Sequence, residues 1–193
     1  MVLSTGSSKI KTAIFISGTG SNLKSLIKFS KTKKSPISIS LIVSNNSKAK
    51  GLNFANIYKI KKKIINFENK KLAEKKMYLE LKKYKIQIIC LAGFMIILTK
   101  KFIKNFKGDI LNIHPSLLPK YKGLNTHQRV LDNNEAYSGC TVHYVNSKID
   151  SGKIIIQKKI KVSKKDTAKT LAKKILKEEH KLYPRALLKI FSL

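Results

Sequence analysis

The sequence predicts a single α/β domain with a mostly parallel central sheet, flanked by helices and turning antiparallel in the C-terminal half. Three observations carry this. In the first half, Ile-rich runs alternate with helical patterns about every 25 residues, the spacing of βαβ units. Ile86–Ala92 is one continuous apolar run, as expected of a strand buried on both faces. In the second half, Thr141–Val145 and Lys153–Val162 alternate in polarity and are joined through the turn Ile149-Asp150-Ser151-Gly152. The length of 193 residues fits one domain. An apolar share of 42 % is enough for a sizeable core and sets the chain apart from disordered sequences.

Each element follows from local pattern. Ile10–Ser17 is a short apolar run, ending in Gly18-Thr19-Gly20-Ser21-Asn22. Leu23, Leu26 and Ile27 then recur at helical spacing, so the segment reads as strand, Gly-rich turn and helix. Ile37–Val43 is a second strand that stops at Ser44-Asn45-Asn46. Asn53–Tyr58 is helical and Lys62–Phe67 is a short strand. Asn69 caps a helix that carries Leu72, Ala73, Tyr78, Leu79 and Leu81. After the strand at Ile86–Ala92 comes another at Asp109–Ile113. His114–Thr126 holds two Pro and a Gly with few apolar periods, so it is a loop, and Thr126–Leu131 begins a helix. Ser163-Lys164-Lys165-Asp166 resembles a capping box, and Leu171, Ile175, Leu176 and Leu182 follow on one helix with Pro184 near its end.

Charge is the most unusual feature of the composition. There are 41 Lys+Arg against 10 Asp+Glu, a formal net charge of +31. A basic surface suggests nucleic acid or an anionic membrane. Yet only Arg129 and Arg185 are Arg, and the other 39 bases are Lys. Readers of nucleic acid rely on the planar fork of Arg. Lys spread over the whole chain, beside many Ile and Asn, fits coding bias from an AT-rich genome better than selected binding. Trp is absent as well, so no specific nucleic-acid partner is expected. No run reaches the ~18 apolar residues of a membrane span. Met1–Ser8 is small and polar, and Ala13–Ser17 is too short for a signal core. Cys90 and Cys140 form no CxxC, which suits a reducing, cytoplasmic setting. The four His (114, 127, 143 and 180) include no HxxxH pair, so no metal site is expected.

Three segments carry chemistry. The Gly18–Asn22 turn feeds a helix, so its free N–H groups and the positive dipole end suit a phosphate. It lacks the Lys of a P-loop and the full dinucleotide fingerprint, so a monophosphate ester fits it best. A plain strand–helix turn with a polar cap explains the same residues. In the second segment, Asn112 and His114 project to one side of a strand that ends at His114. An amide can donate to a developing oxyanion and an imidazole can move a proton near neutral pH. A His bonded only to backbone at a strand end is the competing explanation. The third segment pairs His143 with Asp150, one of only ten acids. A carboxylate beside His114 would raise its pKa and orient it. An Asp that stabilises its own turn is the alternative, and spacing alone does not bring Asp150 to His114.

Taken together, these segments resemble the phosphoribosylglycinamide formyltransferase family, from about Ile10 to Leu188. The residues that carry the resemblance begin with Ile16-Ser17-Gly18-Thr19-Gly20-Ser21-Asn22 and Leu91-Ala92-Gly93-Phe94-Met95. The most specific block runs from Asn112-Ile113-His114-Pro115-Ser116-Leu117-Leu118-Pro119 through Lys120-Tyr121-Lys122-Gly123-Leu124-Asn125-Thr126-His127. Gly139, Thr141-Val142-His143 and Asp150-Ser151-Gly152 follow.

The resemblance implies a single Rossmann-like formyltransferase domain over residues 1–193. Its ribonucleotide-phosphate half would span about 10–105 and its catalytic and folate half about 106–193. It further implies transfer of the formyl group of 10-formyltetrahydrofolate, a co-substrate, to the amine of glycinamide ribonucleotide in purine (IMP) biosynthesis. The amine would attack the formyl carbon through a tetrahedral intermediate. By resemblance, Asn112 binds the formyl oxygen, His114 is the general acid, and Asp150 supports its protonation and orders water. Gly20, Ser21 and Asn22 hold the ribonucleotide phosphate, and Glu179 lies near the ribose. Met95, Ile96, Ile97 and Leu98 line the pterin pocket, with Asn112 also at the folate.

The chain departs from the family pattern at Thr19, often Asn, and at Ile96, often Arg. Lys70 stands where an Arg usually meets the folate, keeping the charge but not the planar fork. The chain also stops sooner after its last helix than many relatives. A monomer or homodimer is expected. The neighbouring readings are a methionyl-tRNA formyltransferase, a formyltetrahydrofolate hydrolase and a non-catalytic basic nucleic-acid-binding module. The first normally adds a C-terminal RNA-binding domain and the second an N-terminal regulatory domain, for which 193 residues leave no room.

Overall fold

A computed structural model describes residues 9–191; Met1–Ser8, read above as a small polar start, lies outside them, as do Ser192 and Leu193. The elements run β1 (Ile10–Ile16), α1 (Ser21–Ser30), β2 (Ile37–Ser44), α2 (Leu52–Ile57), β3 (Lys62–Ile64), α3 (Lys70–Lys83) and β4 (Ile88–Leu91). They continue with α4 (Lys100–Asn105), β5 (Asp109–His114), α5 (Thr126–Asp132), β6 (Tyr137–Tyr144), β7 (Ile154–Lys161) and α6 (Ala168–Ile190). One sheet has the order β3-β2-β1-β4-β5-β6-β7. β1 to β5 are parallel, and β6 and β7 are antiparallel. This is the predicted α/β architecture, with its antiparallel part in the C-terminal half.

Period two along the strands sorts side chains to the two faces. Ile14, Ile16, Cys90, Leu111 and Val142 pack with α1, α5 and α6 on one face. Ala13, Phe15, Leu41, Ile89 and Ile110 pack with α3 and α4 on the other. Cys90 and Cys140 are free and buried. Burial pushes both thiols up to about 12, so neither is a reactive thiolate near neutral pH. On the first face, the fully buried Tyr183 of α6 lies with its hydroxyl 3.1 Å from the carbonyls of Leu91 and Leu111. One aromatic residue thereby ties the end of β4 and the middle of β5 to the longest helix.

Several boundaries differ from the sequence reading, each for a local reason. β3 is three residues long, because only Lys62–Ile64 finds a partner on β2. β6 starts at Tyr137, four residues before the expected Thr141. Ser138–Cys140 are buried and pair with β7 beyond the end of β5, although Ser and Gly do not announce a strand. α4 has too short an apolar period to read. It is fixed by Thr99, whose side chain accepts from the Phe102 N–H, and by Glu74, which accepts from the Thr99 N–H at 2.7 Å. On α3, Leu72 and Leu79 are exposed, and the buried face is Ala73, Glu74, Met77 and Leu81. The capping box of α6 is Thr167–Thr170, not Ser163–Asp166. The Ser163–Asp166 segment instead closes its own turn, where Asp166 accepts from the Ser163 N–H at 2.8 Å. Pro184 lies inside α6, which runs on to Ile190.

Candidate active site

Two polar clusters form where loops leave the parallel strands. The first is built on the β1–α1 turn. Gly20 precedes α1 with φ 74°, and no side chain caps the helix. The first N–H groups of α1 are therefore left for another acceptor, which is the setting that binds a phosphate. Gly20 is required by close approach: a Cβ there would stand 2.6 Å from the Cα of Gly51. The β1 and β2 loops thus touch backbone to backbone, and the Gly51 N–H donates to the Gly18 carbonyl at 3.0 Å. Ser21 opens the helix. Asn22 is buried, and its Nδ2 donates to Glu179 Oε2 at 2.7 Å, across 157 residues of sequence. Its Oδ1 is buried with no partner among the described residues. Burial pushes the Glu179 carboxyl up, and the Asn22 amide only partly offsets this.

The second cluster centres on Asp150. Asn112 and His114 lie on one face of β5, and His143 of β6 pairs with Asn112 in register. The β6–β7 loop folds back over that face. It turns at Asp150, which has φ 44°, a conformation Asp tolerates better than most residues. Gly152 lets the loop return, because a Cβ there would lie 1.7 Å from the Tyr144 carbonyl oxygen. Asp150 Oδ2 then stands 3.3 Å from His114 Nδ1 and accepts from the Gly123 N–H at 2.9 Å. Its Oδ1 accepts from Asn112 Nδ2 at 3.3 Å and stands 3.5 Å from His143 Nε2. Asp150 therefore does not merely stabilise its own turn; it bridges two loops and two strands.

Hydrogen-bond logic fixes the tautomers. His114 Nε2 is 2.8 Å from the Tyr121 carbonyl, which can only accept, so Nε2 carries a proton. His143 Nδ1 likewise donates to the Tyr144 carbonyl at 2.8 Å. Its Nε2 accepts from Asn112 Nδ2 at 3.3 Å when the ring is neutral and turns to donate to Asp150 Oδ1, 3.5 Å away, when the ring is protonated. Both amide hydrogens of Asn112 thus have internal acceptors, at a length that an incoming oxyanion would improve on. His114 is bonded to backbone, as the competing explanation held, and it also faces the carboxylate.

The net direction at His114 differs from the expectation. Burial lowers its pKa, and this outweighs the upward pull of the Tyr121 carbonyl and Asp150; His143 and Arg129 add to the lowering. The carboxylate does pull upward, but desolvation of the imidazolium is larger. An imidazolium there would have an acceptor at each nitrogen and still release its proton readily. Asp150 itself is held below the usual carboxylate range. Burial alone would raise it, but His143, the Gly123 N–H and positive charge on His114 prevail.

The remaining predicted residues lie on neighbouring loops. Met95 and Ile97 are 63 % and 58 % exposed, Ile96 is half-buried and Leu98 is buried. The Met95 N–H donates to Ser17 Oγ at 2.8 Å, tying this loop to the β1 turn. Leu124 and Ile149, beside Gly123 and Asp150, are exposed as well. Apolar side chains open to solvent around a buried polar cluster suit a flat aromatic ligand. Lys70 is half-buried at the first turn of α3 and makes no hydrogen bond to either cluster. Sequence reasoning missed the parts played by Tyr121, Gly123 and Ser17, which act mainly through backbone groups or a small hydroxyl. Among the described residues, no group of three or more His, Cys, Asp or Glu is arranged to hold a metal ion. Nor is any helix among them long and apolar enough to cross a membrane.

Comparison with known proteins agrees with this geometry. The chain is 40 % identical over 182 residues to the human trifunctional purine biosynthetic protein adenosine-3, which covers 93 % of this chain and 18 % of that protein. It therefore spans less than a fifth of that longer relative. It is 38 % identical over 177 residues to the phosphoribosylglycinamide formyltransferase of Haemophilus influenzae, covering 90 % of this chain and 84 % of that one. The crystal structure of phosphoribosylglycinamide formyltransferase from Brucella melitensis superposes with a TM-score of 0.89 at 42 % identity, over 95 % of this chain and 96 % of that one. The profile of the family described as formyl transferase matches residues 10–187. The chain belongs to the formyl transferase family.

Proposed function

We propose that the chain transfers the formyl group of 10-formyltetrahydrofolate to the amine of glycinamide ribonucleotide, in purine biosynthesis. The observation that carries this is the meeting of Asn112, His114 and Asp150 on one sheet face. The names of the Haemophilus and Brucella relatives support the substrate.

The roles follow from position. The free N–H groups at Gly20, Ser21 and Asn22 hold the phosphate. The unpartnered Asn22 Oδ1 needs a donor and the adjacent Glu179 can accept; ribose hydroxyls supply both functions. Met95, Ile96, Ile97 and Leu98 form the pterin wall, with Leu124 and Ile149 opposite. Lys70 meets the folate's acidic tail as a point charge. Asn112 turns one N–H to the oxyanion that develops on the formyl oxygen. As the new C–N bond forms and the old one breaks, the attacking amine gives up a proton and His114 returns one to the leaving amine, so the ring is unchanged over the cycle. Asp150 holds that ring and stabilises its charged form when it appears.

We infer one domain with the phosphate held by about 10–105 and the acid by about 106–193. The Asn22–Glu179 bond joins the two halves. The two free, buried cysteines support a reducing, cytoplasmic setting. The protein acts as a monomer or homodimer, without a specific nucleic-acid partner or a metal. The test is direct. Purified protein with both substrates should release tetrahydrofolate; folded protein that releases none would contradict the assignment.

A further inference from the structure

Two groups that hold the catalytic pair come from one short loop. The Tyr121 carbonyl fixes His114 Nε2, and the Gly123 N–H fixes Asp150 Oδ2. That loop is an unfavourable one. Gly123 and Asn125, at φ 77° and 56°, are residue types that tolerate positive φ, but Tyr121 has φ 56° as well, a region a bulky L side chain seldom enters. It persists only if its surroundings over-determine it.

Arg129, one turn into α5, supplies three of the contacts that impose that constraint. Its Nη1 donates to the Lys122 carbonyl at 2.7 Å and lies 3.4 Å from the Leu124 carbonyl. The guanidinium also sits over the Tyr121 ring, 5.3 Å from its centroid. Three of the loop's four residues from 121 to 124 thus meet one side chain. Smaller anchors help: Tyr121 Oη donates to Glu135 at 2.9 Å, and Lys122 Nζ donates to Ser151 Oγ at 2.7 Å. This position carries Arg in a chain where 39 of 41 bases are Lys. Chemistry explains the choice. A planar guanidinium can cover a ring and donate in its own plane. A Lys ammonium is a point on a shorter stem and cannot do both.

We propose that Arg129 is a positioning residue, which holds the 121–124 loop and through it the His114–Asp150 pair. It touches neither substrate. The role rests on the formyl-transfer reading only for its kinetic consequence, because the geometry of His114 can be read without turnover.

The experiment compares wild type with Arg129→Lys, Arg129→Ala and, as a control, Arg185→Lys on the exposed side of α6. Arg129→Lys should lower kcat roughly 10- to 100-fold, the cost of a misplaced catalytic group, with the ribonucleotide KM unchanged. Free guanidinium, well below denaturing concentration, should restore part of the kcat of Arg129→Ala, and ammonium should not. The His114 ring is also titrated by NMR. The groups that face it are Asp150, His143, Arg129 and His127, and the Tyr121 carbonyl pulls its pKa upward. With the positive charge kept and that carbonyl displaced, the His114 pKa should fall in Arg129→Lys. Arg185→Lys should match wild type throughout. Wild-type kcat and wild-type His114 titration in Arg129→Lys would overturn the proposal, as would lost stability with unchanged kcat per folded molecule. If wild type shows no formyl transfer but the His114 titration still moves in Arg129→Lys, the substrate assignment fails and the positioning role stands.

Discussion

At the end of β1, Asn22 holds Glu179 but leaves its own Oδ1 buried without a partner among the described residues. At the end of β5, both ring nitrogens of His114 and His143 and both oxygens of Asp150 already face protein groups. The first cluster is incomplete until a ligand brings a donor and an anion. The second is preorganised and needs only a proton moved through it. The proposed function therefore assigns binding and acid chemistry to different clusters, and substitutions should separate them.

The largest effect is expected at His114. His114→Ala should lower kcat by about 10²–10⁴, the usual contribution of a positioned acid, and leave the ribonucleotide KM near wild type. Steady-state kinetics on folded protein checks this. A comparable rise in that KM would merge the two clusters into one.

Glu179→Gln should act on the other side. If Glu179 accepts from the ribose as proposed, losing that charge-assisted bond should raise the ribonucleotide KM about tenfold, with kcat little changed. The same variant should melt higher near neutral pH. The folded-state pKa of Glu179 is raised, so its favourable protonated form is lost as pH rises through that value, and Gln stays neutral. An unchanged melting temperature would mean that the buried carboxylate costs nothing.

Gly20→Ala should affect both binding and stability. The left-handed φ costs an L side chain about 1–2 kcal/mol, and the new Cβ would meet the Gly51 backbone. The ribonucleotide KM should rise, the folate KM should not, and thermal unfolding should move down. A folate KM that rises instead would relocate the phosphate site.

The smallest effect concerns pH and stability. Burial lowers the pKa of His114, His127 and His180. The unfolded chain binds protons more readily at these sites, so stability should fall as pH drops through about 6.5. The raised pKa of Glu179 acts in the opposite direction, so the melt is best followed in Glu179→Gln, from about pH 7.5 to about pH 5.5. The lowered carboxylates Asp150, Glu135 and Asp166 change stability only at more acid pH. A melting temperature that is flat across that window would show that the three rings pay no burial penalty.

The parallel part of the sheet and the β1 turn were legible because local pattern determines them. A Gly-rich turn between an apolar run and a helical period reads the same in isolation and in the fold. Asn112 and His114 were legible for the same reason, since strand period alone places them on one side. The approach of Asp150 was not. It depends on the β6–β7 loop folding back over the sheet, which Gly152 permits and no spacing announces. The direction of the His114 pKa was also missed, because burial is a property of the packed whole and outweighs the neighbour that the motif names. Tyr121 and Gly123 stayed hidden because backbone groups leave no residue-type signal. Neither the Asn22–Glu179 pair nor the Asn112–His114–Asp150 cluster contains a Lys, so the net charge of +31 is not explained by either. Its one reach toward function is a positive field for two anionic substrates.

The most direct measurement is the initial rate of tetrahydrofolate formation from 10-formyltetrahydrofolate and glycinamide ribonucleotide, resolved into kcat and ribonucleotide KM for wild type, His114→Ala and Glu179→Gln. The account predicts turnover by wild type, a fall confined to kcat in the first variant and a rise confined to KM in the second. Turnover that ignores His114, or a KM that ignores Glu179, would contradict it.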